Sequence, residues 1–188
     1  SGKMGFALAE AARDRGAEVT VVCGSVTAPK PVGLKTVSVE STQDLYNAVL
    51  KEAKDQDIII QAAAPADFRF KEVAPEKLKK HEGEHLVFEM FENPDDAAAV
   101  GAAKREGQTL VGFAAETQNT IVNAQKKLKK KNLDLIVAND VSMPGAGFNV
   151  DTNIASLITA EEVQDLPLMT KAELAHMILN KIMEIRTK

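Results

Sequence analysis

The sequence predicts an α/β domain: a mostly parallel sheet flanked by helices, with an antiparallel hairpin element near the C-terminus. Three observations lead there. Four short apolar runs rich in β-branched or small residues read as buried strands: AEVTVVC (17–23), DIIIQAAA (57–64), TLVGFAA (109–115) and LDLIVA (133–138). Segments of helical period alternate with them, as strands joined by crossover helices require. The 188 residues, 45% hydrophobic and 27% charged, suffice for one sizeable core without disulfide staples.

Lys3 to Arg15 is Ala-rich, with Phe6 and Ala9, and Leu8 and Ala12, at helical spacing; Gly16 is its stop signal. The first strand run follows, then a Pro/Gly loop from Gly24 to Gly33. Leu34 to Val39 alternates as a strand. Ser41 and Thr42 are caps for a helix running to about Lys54, with Leu45, Val49 and Leu50 as its apolar stripe. After the second strand run the pattern breaks. Pro65 to Glu84 is charged and carries two prolines, and twenty such residues inside a domain are usually functional or mobile. His85 to Phe91 alternates as a further strand, and Asn93 to Arg105 reads as a helix with Asn93 as cap and Pro94 at the first helical position. The third strand run leads through Glu116 and Thr117 into a basic helix ending at Lys131. After the fourth come a glycine loop, PGAGFN (144–149), a hairpin strand from Asn153 to Thr159, and an amphipathic helix from Thr170 to Ile185. No linker divides the chain, so residues 1–188 read as one domain with a Rossmann-like architecture. A strand normally precedes a glycine turn such as Ser1-Gly2-Lys3-Met4-Gly5, so the domain is expected to lack its first strand here.

Composition narrows the chemistry. The single cysteine, Cys23, excludes an intrachain disulfide, fits a reducing compartment, and ends an apolar strand as a core residue would. No apolar run approaches membrane-spanning length, and the net charge of −4 gives no general attraction to nucleic acid. His81, His85 and His176 share no metal-ligand spacing with Cys23, and no Gly-x-Ser-x-Gly elbow is present. Any catalysis would then rest on positioning and electrostatics.

Four segments carry candidate binding groups, each with a plainer reading beside it. Ser1, Gly2 and Lys3 stand at a helix N-terminus, where unpaired N–H groups accept a phosphate, or form a tight turn. Ala62 to Phe68 follows a buried strand, where flat ligands approach the backbone of open α/β sheets; the same small residues also pack under helices. Glu76-Lys77-Leu78-Lys79-Lys80 is a solvated turn or a phosphate-facing flap. Lys126, Lys127, Lys129, Lys130 and Lys131 form a solvated helix end or an anion site.

In order, the segments SGKMGFALAEAARDRGAEVTVV, AAAPADFR with VAPEKLKK, ENPD, VGFAAET, KKLKKKNLDLIVAND and GAGFNVDTN resemble the bacterial phosphopantothenate–cysteine ligases over nearly the whole chain. The resemblance implies a cytoplasmic, homodimeric enzyme of coenzyme A biosynthesis, either free-standing or joined to a flavin-dependent decarboxylase. Its substrates would be 4′-phosphopantothenate, cysteine and CTP, in preference to ATP, with Mg²⁺; no nucleic acid or membrane is involved. The carboxylate would attack the nucleotide α-phosphate to give an acyl-cytidylate and pyrophosphate, and the cysteine amine would then displace CMP. Gln61, Ala62 and Ala63 would meet the cytosine through their backbone, and Asp67 would contact the nucleotide. Lys77 matches a lysine implicated in catalysis and nucleotide binding. Pro94, Asp95, Asp96 and Ala97 would form a helix start beside the triphosphate, Phe113 would line the pocket, and Lys127 and Lys131 match two further nucleotide-binding lysines. No metal ligands are implied residue by residue.

The chain departs from the family at three places. Pro65 stands where valine is usual and removes a backbone donor. Asp96 stands where many relatives carry an aliphatic residue and adds a negative charge beside the anion. The asparagine that relatives carry just upstream of Ser-Ser-Gly-Lys-Met-Gly is not in the chain, which is therefore expected to bind nucleotide weakly and to be poorly active. Two rival functions make different predictions. An oxidoreductase would need a Gly-x-Gly-x-x-Gly turn after a strand, which the sequence lacks. A non-catalytic anion-binding module would show salt-sensitive binding without base preference.

Overall fold

The protein was analysed as a computed structural model, which describes residues 1–79, 83, 85–116, 120–140, 147 and 149–187. In chain order the elements are α1 (Lys3–Asp14), β1 (Thr20–Cys23), β2 (Lys35–Ser38), α2 (Thr42–Glu52) with a 3₁₀ turn (Ala53–Asp55), β3 (Ile58–Gln61), β4 (Phe68–Phe70), β5 (Met90–Glu92), α3 (Asp96–Ala103), β6 (Thr109–Glu116), α4 (Thr120–Lys130), β7 (Leu135–Asp140), β8 (Thr152–Ile158), β9 (Val163–Thr170) and α5 (Lys171–Arg186).

The main sheet has the order β3-β6-β7-β8-β9. It is parallel from β3 through β7 and antiparallel through β8 and β9, so the expected hairpin element adds two strands to one edge. β1 and β2 form a separate parallel pair, and β4 and β5 a separate antiparallel pair. Side-chain alternation along β7 divides the core between the two faces. Leu135 and Val137 join Leu8, Val111, Leu157, Leu174, Ile178 and Ile182 beneath α1 and α5. Ile136 and Ala138 join Ile59, Val100, Leu110, Ala124, Leu128 and Ile158 beneath α3 and α4.

Local signals explain most boundaries. Ser41 caps α2 in a reciprocal capping box with Asp44, and Thr170 does the same for α5 with Glu173. Gly16, at φ +86°, ends α1 as expected, its N–H donating to the Arg13 carbonyl at 2.8 Å. Cys23 is buried, as a core residue should be.

Four expectations need correction. The run from His85 to Phe91 is not one strand: only Met90–Glu92 pairs, because its partner Phe68–Phe70 is three residues long. The second strand run ends at Gln61, leaving Ala62 to Ala64 as a connection. Asn93 does not cap the next helix. Asp95 does, its carboxylate accepting the Ala98 N–H at 3.0 Å, and Pro94 lies before the cap. β9, with Pro167 inside it, was missed; it is an outer strand, where a missing N–H donor is tolerated. Thr117, Lys80, His81 and most of the PGAGFN loop lie outside the described residues.

Candidate active site

Strands β3, β6 and β7 run parallel, so their carboxyl ends meet along one end of the sheet, where open α/β sheets take ligands. Gln61 is the last residue of β3 and lies beside Gly112 of β6. The Gln61 side-chain Nε2 is buried and has no hydrogen-bond partner. The same holds for Oδ1 of Asn139, one residue before the end of β7. Buried polar atoms are seldom left unmet, and these two stand near the carboxyl ends of β3 and β7. Gln61 was expected at the site, although through its backbone. Asn139 was not; its signal in the sequence was a polar residue closing the apolar run LDLIVA.

The start of α3 meets the end of α4 on one face of this sheet. The Lys131 ammonium lies 3.0 and 2.9 Å from the two carboxylate oxygens of Asp95. Two expected nucleotide residues, 36 positions apart, are thus joined. The contact is locked by backbone: a Cβ on Gly101 would stand 1.9 Å from the Lys131 carbonyl oxygen, so no side chain fits there. Asn132, at φ +51°, donates to the Gly101 carbonyl at 2.9 Å, and Lys104 bridges the Asn132 carbonyl and Asp134. Lys127 precedes Lys131 by one helical turn, and the Lys131 N–H donates to its carbonyl at 3.0 Å.

Adjacent carboxylates here have opposite electrostatics. Burial pushes the Asp95 carboxyl up, but the Ala98 N–H and the Lys131 ammonium outweigh it and hold the group below the ordinary range. Asp96 is buried, and that burial, helped by the Asp95 charge, raises its carboxyl above the ordinary range despite an N–H from Ala97. The charge expected from Asp96 is therefore the less favoured of the two, and Asp95 carries the negative end of the pair with Lys131.

The glycine turn at the chain start packs against the loop after β1. Gly2 is at φ +84°, and a Cβ there would stand 3.0 Å from that of Val26. It leads into α1 without a side-chain cap, so the first N–H groups of the helix are unpaired within it. The Ser1 carbonyl accepts from the Ala28 N–H at 3.0 Å. Lys3, expected to contact phosphate, donates to the Asn149 carbonyl at 2.9 Å and to Asp151 at 2.6 Å, which holds the Asp151 carboxyl below its ordinary range. Buried Lys171 donates to the carbonyls of Gly147 and Val150, and its ammonium is depressed by burial and then by Lys3.

The remaining candidates lie elsewhere. Phe113 packs half-buried on the α1–α5 face, opposite the helices that carry Asp95 and Lys131. Ala62 packs beneath α1, its Cβ 3.8 Å from where one on Gly5 would stand; Ala63 and Asp67 are exposed. The Asp67 carbonyl accepts from the Asn93 N–H at 2.8 Å, and the Asn93 side chain donates to Ala66 and accepts from Arg69, closing the base of an arm. Lys77 is exposed in the irregular stretch of that arm. Among the described residues no three His, Cys, Asp or Glu side chains converge on a metal position. A magnesium ion arriving on a triphosphate needs no such cage, since phosphates and water supply most of its ligands.

A mixed sheet flanked by helices on both faces, with the carboxyl ends of its parallel strands side by side, makes this an α/β protein. The chain belongs to the DNA/pantothenate metabolism flavoprotein C-terminal domain family, whose model matches residues 1–185. It is 46% identical over 183 residues to the coenzyme A biosynthesis bifunctional protein CoaBC of Vibrio vulnificus (strain CMCP6), covering 97% of this chain and 46% of the relative. The chain thus spans about half the length of the curated relatives it matches. The crystal structure of the C-terminal domain of a CoaBC protein superposes with a TM-score of 0.83 at 39% identity, covering 100% of this chain and 85% of that one. A Cab2 variant in complex with phosphopantothenate-cysteine shares the fold, with a TM-score of 0.76 at 12% identity over 99% of this chain and 78% of its own. Among the described residues no helix is long and apolar enough to cross a membrane.

Proposed function

We propose that the chain is the ligase domain of a cytoplasmic coenzyme A enzyme, joining cysteine to 4′-phosphopantothenate at the expense of CTP. The observation that carries this is the match to CoaBC relatives at 46% identity over 97% of this chain. The joined Asp95 and Lys131 and the unmet Nε2 of Gln61 add to it.

In the first step the substrate carboxylate oxygen bonds to the α-phosphorus and pyrophosphate leaves, giving the acyl-cytidylate. In the second the cysteine amine bonds to the acyl carbon, CMP leaves with the bonding pair, and the amine gives up a proton. Magnesium bound to the nucleotide would offset its charge. Lys131 and Lys127 bind the triphosphate, with Asp95 holding Lys131 in place, and Gln61 meets an acceptor on the base. Lys77, carried by the arm, reaches the reacting phosphate. Neither step needs a protein nucleophile, in keeping with the buried Cys23.

One further point belongs to this reading. The arm exposes Phe68, Phe70, Val73, Leu86, Val87, Phe88, Met90 and Phe91, an apolar surface suited to a second copy in a homodimer.

Calorimetric titration with CTP and with ATP, each with Mg²⁺, tests the proposal on the chain and on Lys77→Gln. CTP should bind more tightly than ATP and be weakened by the substitution. Equal, salt-sensitive binding of both would instead identify an anion-binding module.

A further inference from the structure

The turn that ends α4 holds a residue that the turn alone does not require. Asn132 stands just past the helix at φ +51°, its N–H on the Lys129 carbonyl at 3.4 Å and the Leu133 N–H on the Leu128 carbonyl at 3.0 Å, the bonding of a left-handed helix stop. Glycine meets that conformation with less strain than any side chain. What asparagine adds is a bond between helices: its side-chain N–H donates to the Gly101 carbonyl of α3 at 2.9 Å. The turn is also braced from the sheet. Lys104, its side chain largely buried, donates to the Asn132 carbonyl at 2.9 Å and to Asp134 at 2.8 Å. The second Asp134 oxygen accepts the Leu110 N–H of β6 at 2.7 Å.

Lys131 is the residue directly before this turn. Its carbonyl lies so close to Gly101 that a Cβ there would stand 1.9 Å away, and its ammonium reaches both oxygens of Asp95, the cap at the start of α3. The pair is partly open to solvent. Such ion pairs contribute little by themselves, because a long side chain loses freedom to make them and water screens the charges. The place of the Lys131 ammonium is therefore set by where the backbone of the helix end is docked.

We infer that Asn132 is a positioning residue for nucleotide binding: braced by Lys104, it docks the end of α4 on α3 and so fixes the Lys131 ammonium that binds the triphosphate. The inference rests on the ligase reading and deepens it. Asn132 acts through Lys131 and touches no substrate itself. Neither it nor Lys104 carries a sequence signal for this role, since their partners lie 31 and 28 residues away.

The test uses Asn132→Gly, which suits the left-handed turn and lacks the amide, together with Lys104→Met and Lys131→Met, all in the full chain. CTP affinity with Mg²⁺ is read by calorimetry, and the Asp95 carboxyl is titrated by NMR in the free protein. Against its burial, Asp95 is held below the ordinary range by the Ala98 N–H and then by Lys131, so a displaced Lys131 lets it rise. Asn132→Gly should raise the Asp95 titration and lower CTP affinity roughly fivefold, the size of one modest hydrogen bond. Its melting temperature should stay close to that of the parent, because glycine relieves the turn as the amide bond is lost. Lys104→Met should move both readings in the same direction. In a Lys131→Met background, Asn132→Gly should cost no further CTP affinity, because its route to the nucleotide is already gone. An Asp95 titration unmoved by Asn132→Gly overturns the inference, and both readings unmoved in Lys104→Met overturn the bracing role. Unchanged CTP affinity after Asp95 has moved, or an equal loss with and without Lys131, also overturns it; each leaves the ligase reading intact. If the unsubstituted chain binds no CTP, the ligase reading fails and the inference fails with it.

Discussion

The body of the molecule and its arm use similar side chains to opposite ends. In the body, Leu157, Ile158, Leu174, Ile178 and Ile182 are almost wholly removed from water between the sheet and its helices. In the arm, Val73 remains 86% exposed and Val87 92% exposed, and among the described residues its ring contacts are Phe70 edge-on to Phe88 at 5.2 Å and the Lys71 ammonium 5.6 Å from the centre of the Phe91 ring. An isolated two-stranded hairpin is marginal in water, so the arm's apolar residues do not hold the fold together. The arm also carries Lys77 and Lys79, both exposed to solvent. The contrast separates residues that determine the structure from residues that use it.

The largest effect should come from the body. Leu157→Ala is expected to destabilise the protein by about 2–5 kcal/mol, read by urea unfolding, through lost burial and the cavity left behind. Gly101→Ala follows, at roughly 1–3 kcal/mol of overpacking strain, because the new methyl meets the Lys131 carbonyl. It should also displace Lys131 from Asp95, so CTP affinity falls with stability. A fully stable, CTP-competent Gly101→Ala would break the link between the backbone contact and the site. Ser41→Ala removes one half of the α2 capping box and should cost about 1 kcal/mol. Val87→Ser in the arm should change the unfolding free energy of the isolated chain by less than about 0.5 kcal/mol. If the arm meets a second copy, the same substitution weakens association in analytical ultracentrifugation; a change in neither would leave the arm without the proposed partner.

The carboxylate pair adds a test by pH. Asp96 has its folded pKa raised, so the folded state binds more protons than the unfolded one as pH climbs from the ordinary carboxylate range toward the raised value. Its contribution to stability therefore falls over that window and stays unfavourable at neutral pH. Asp95 is depressed, so its contribution is present above the ordinary value and is lost as pH falls through the folded one. Asp96→Asn should accordingly gain stability at neutral pH relative to the parent, with the gain fading in acid, whereas Asp95→Asn should lose it. Matching pH profiles for the two variants would show that their environments are not distinct.

The sequence by itself determined the strands and helices whose signals are local. Val21, Val22 and Ile58 to Ile60 declare strands through shape and hydrophobicity, and Ser41 and Gly16 declare helix ends through their own hydrogen bonding and φ preference. The order of short motifs was also enough to reach the family. Only the tertiary structure decided which faces those elements present. It replaced Asn93 by Asp95 as the α3 cap, because Asn93 is occupied at the base of the arm. It turned Lys3 toward Asp151, joined Lys131 to Asp95 across 36 residues, and left Nε2 of Gln61 and Oδ1 of Asn139 without partners. The physical reason is range. Propensity and capping act within a turn or two of the chain, whereas pairing, burial and electrostatic environment depend on which distant segments meet once the sheet has formed.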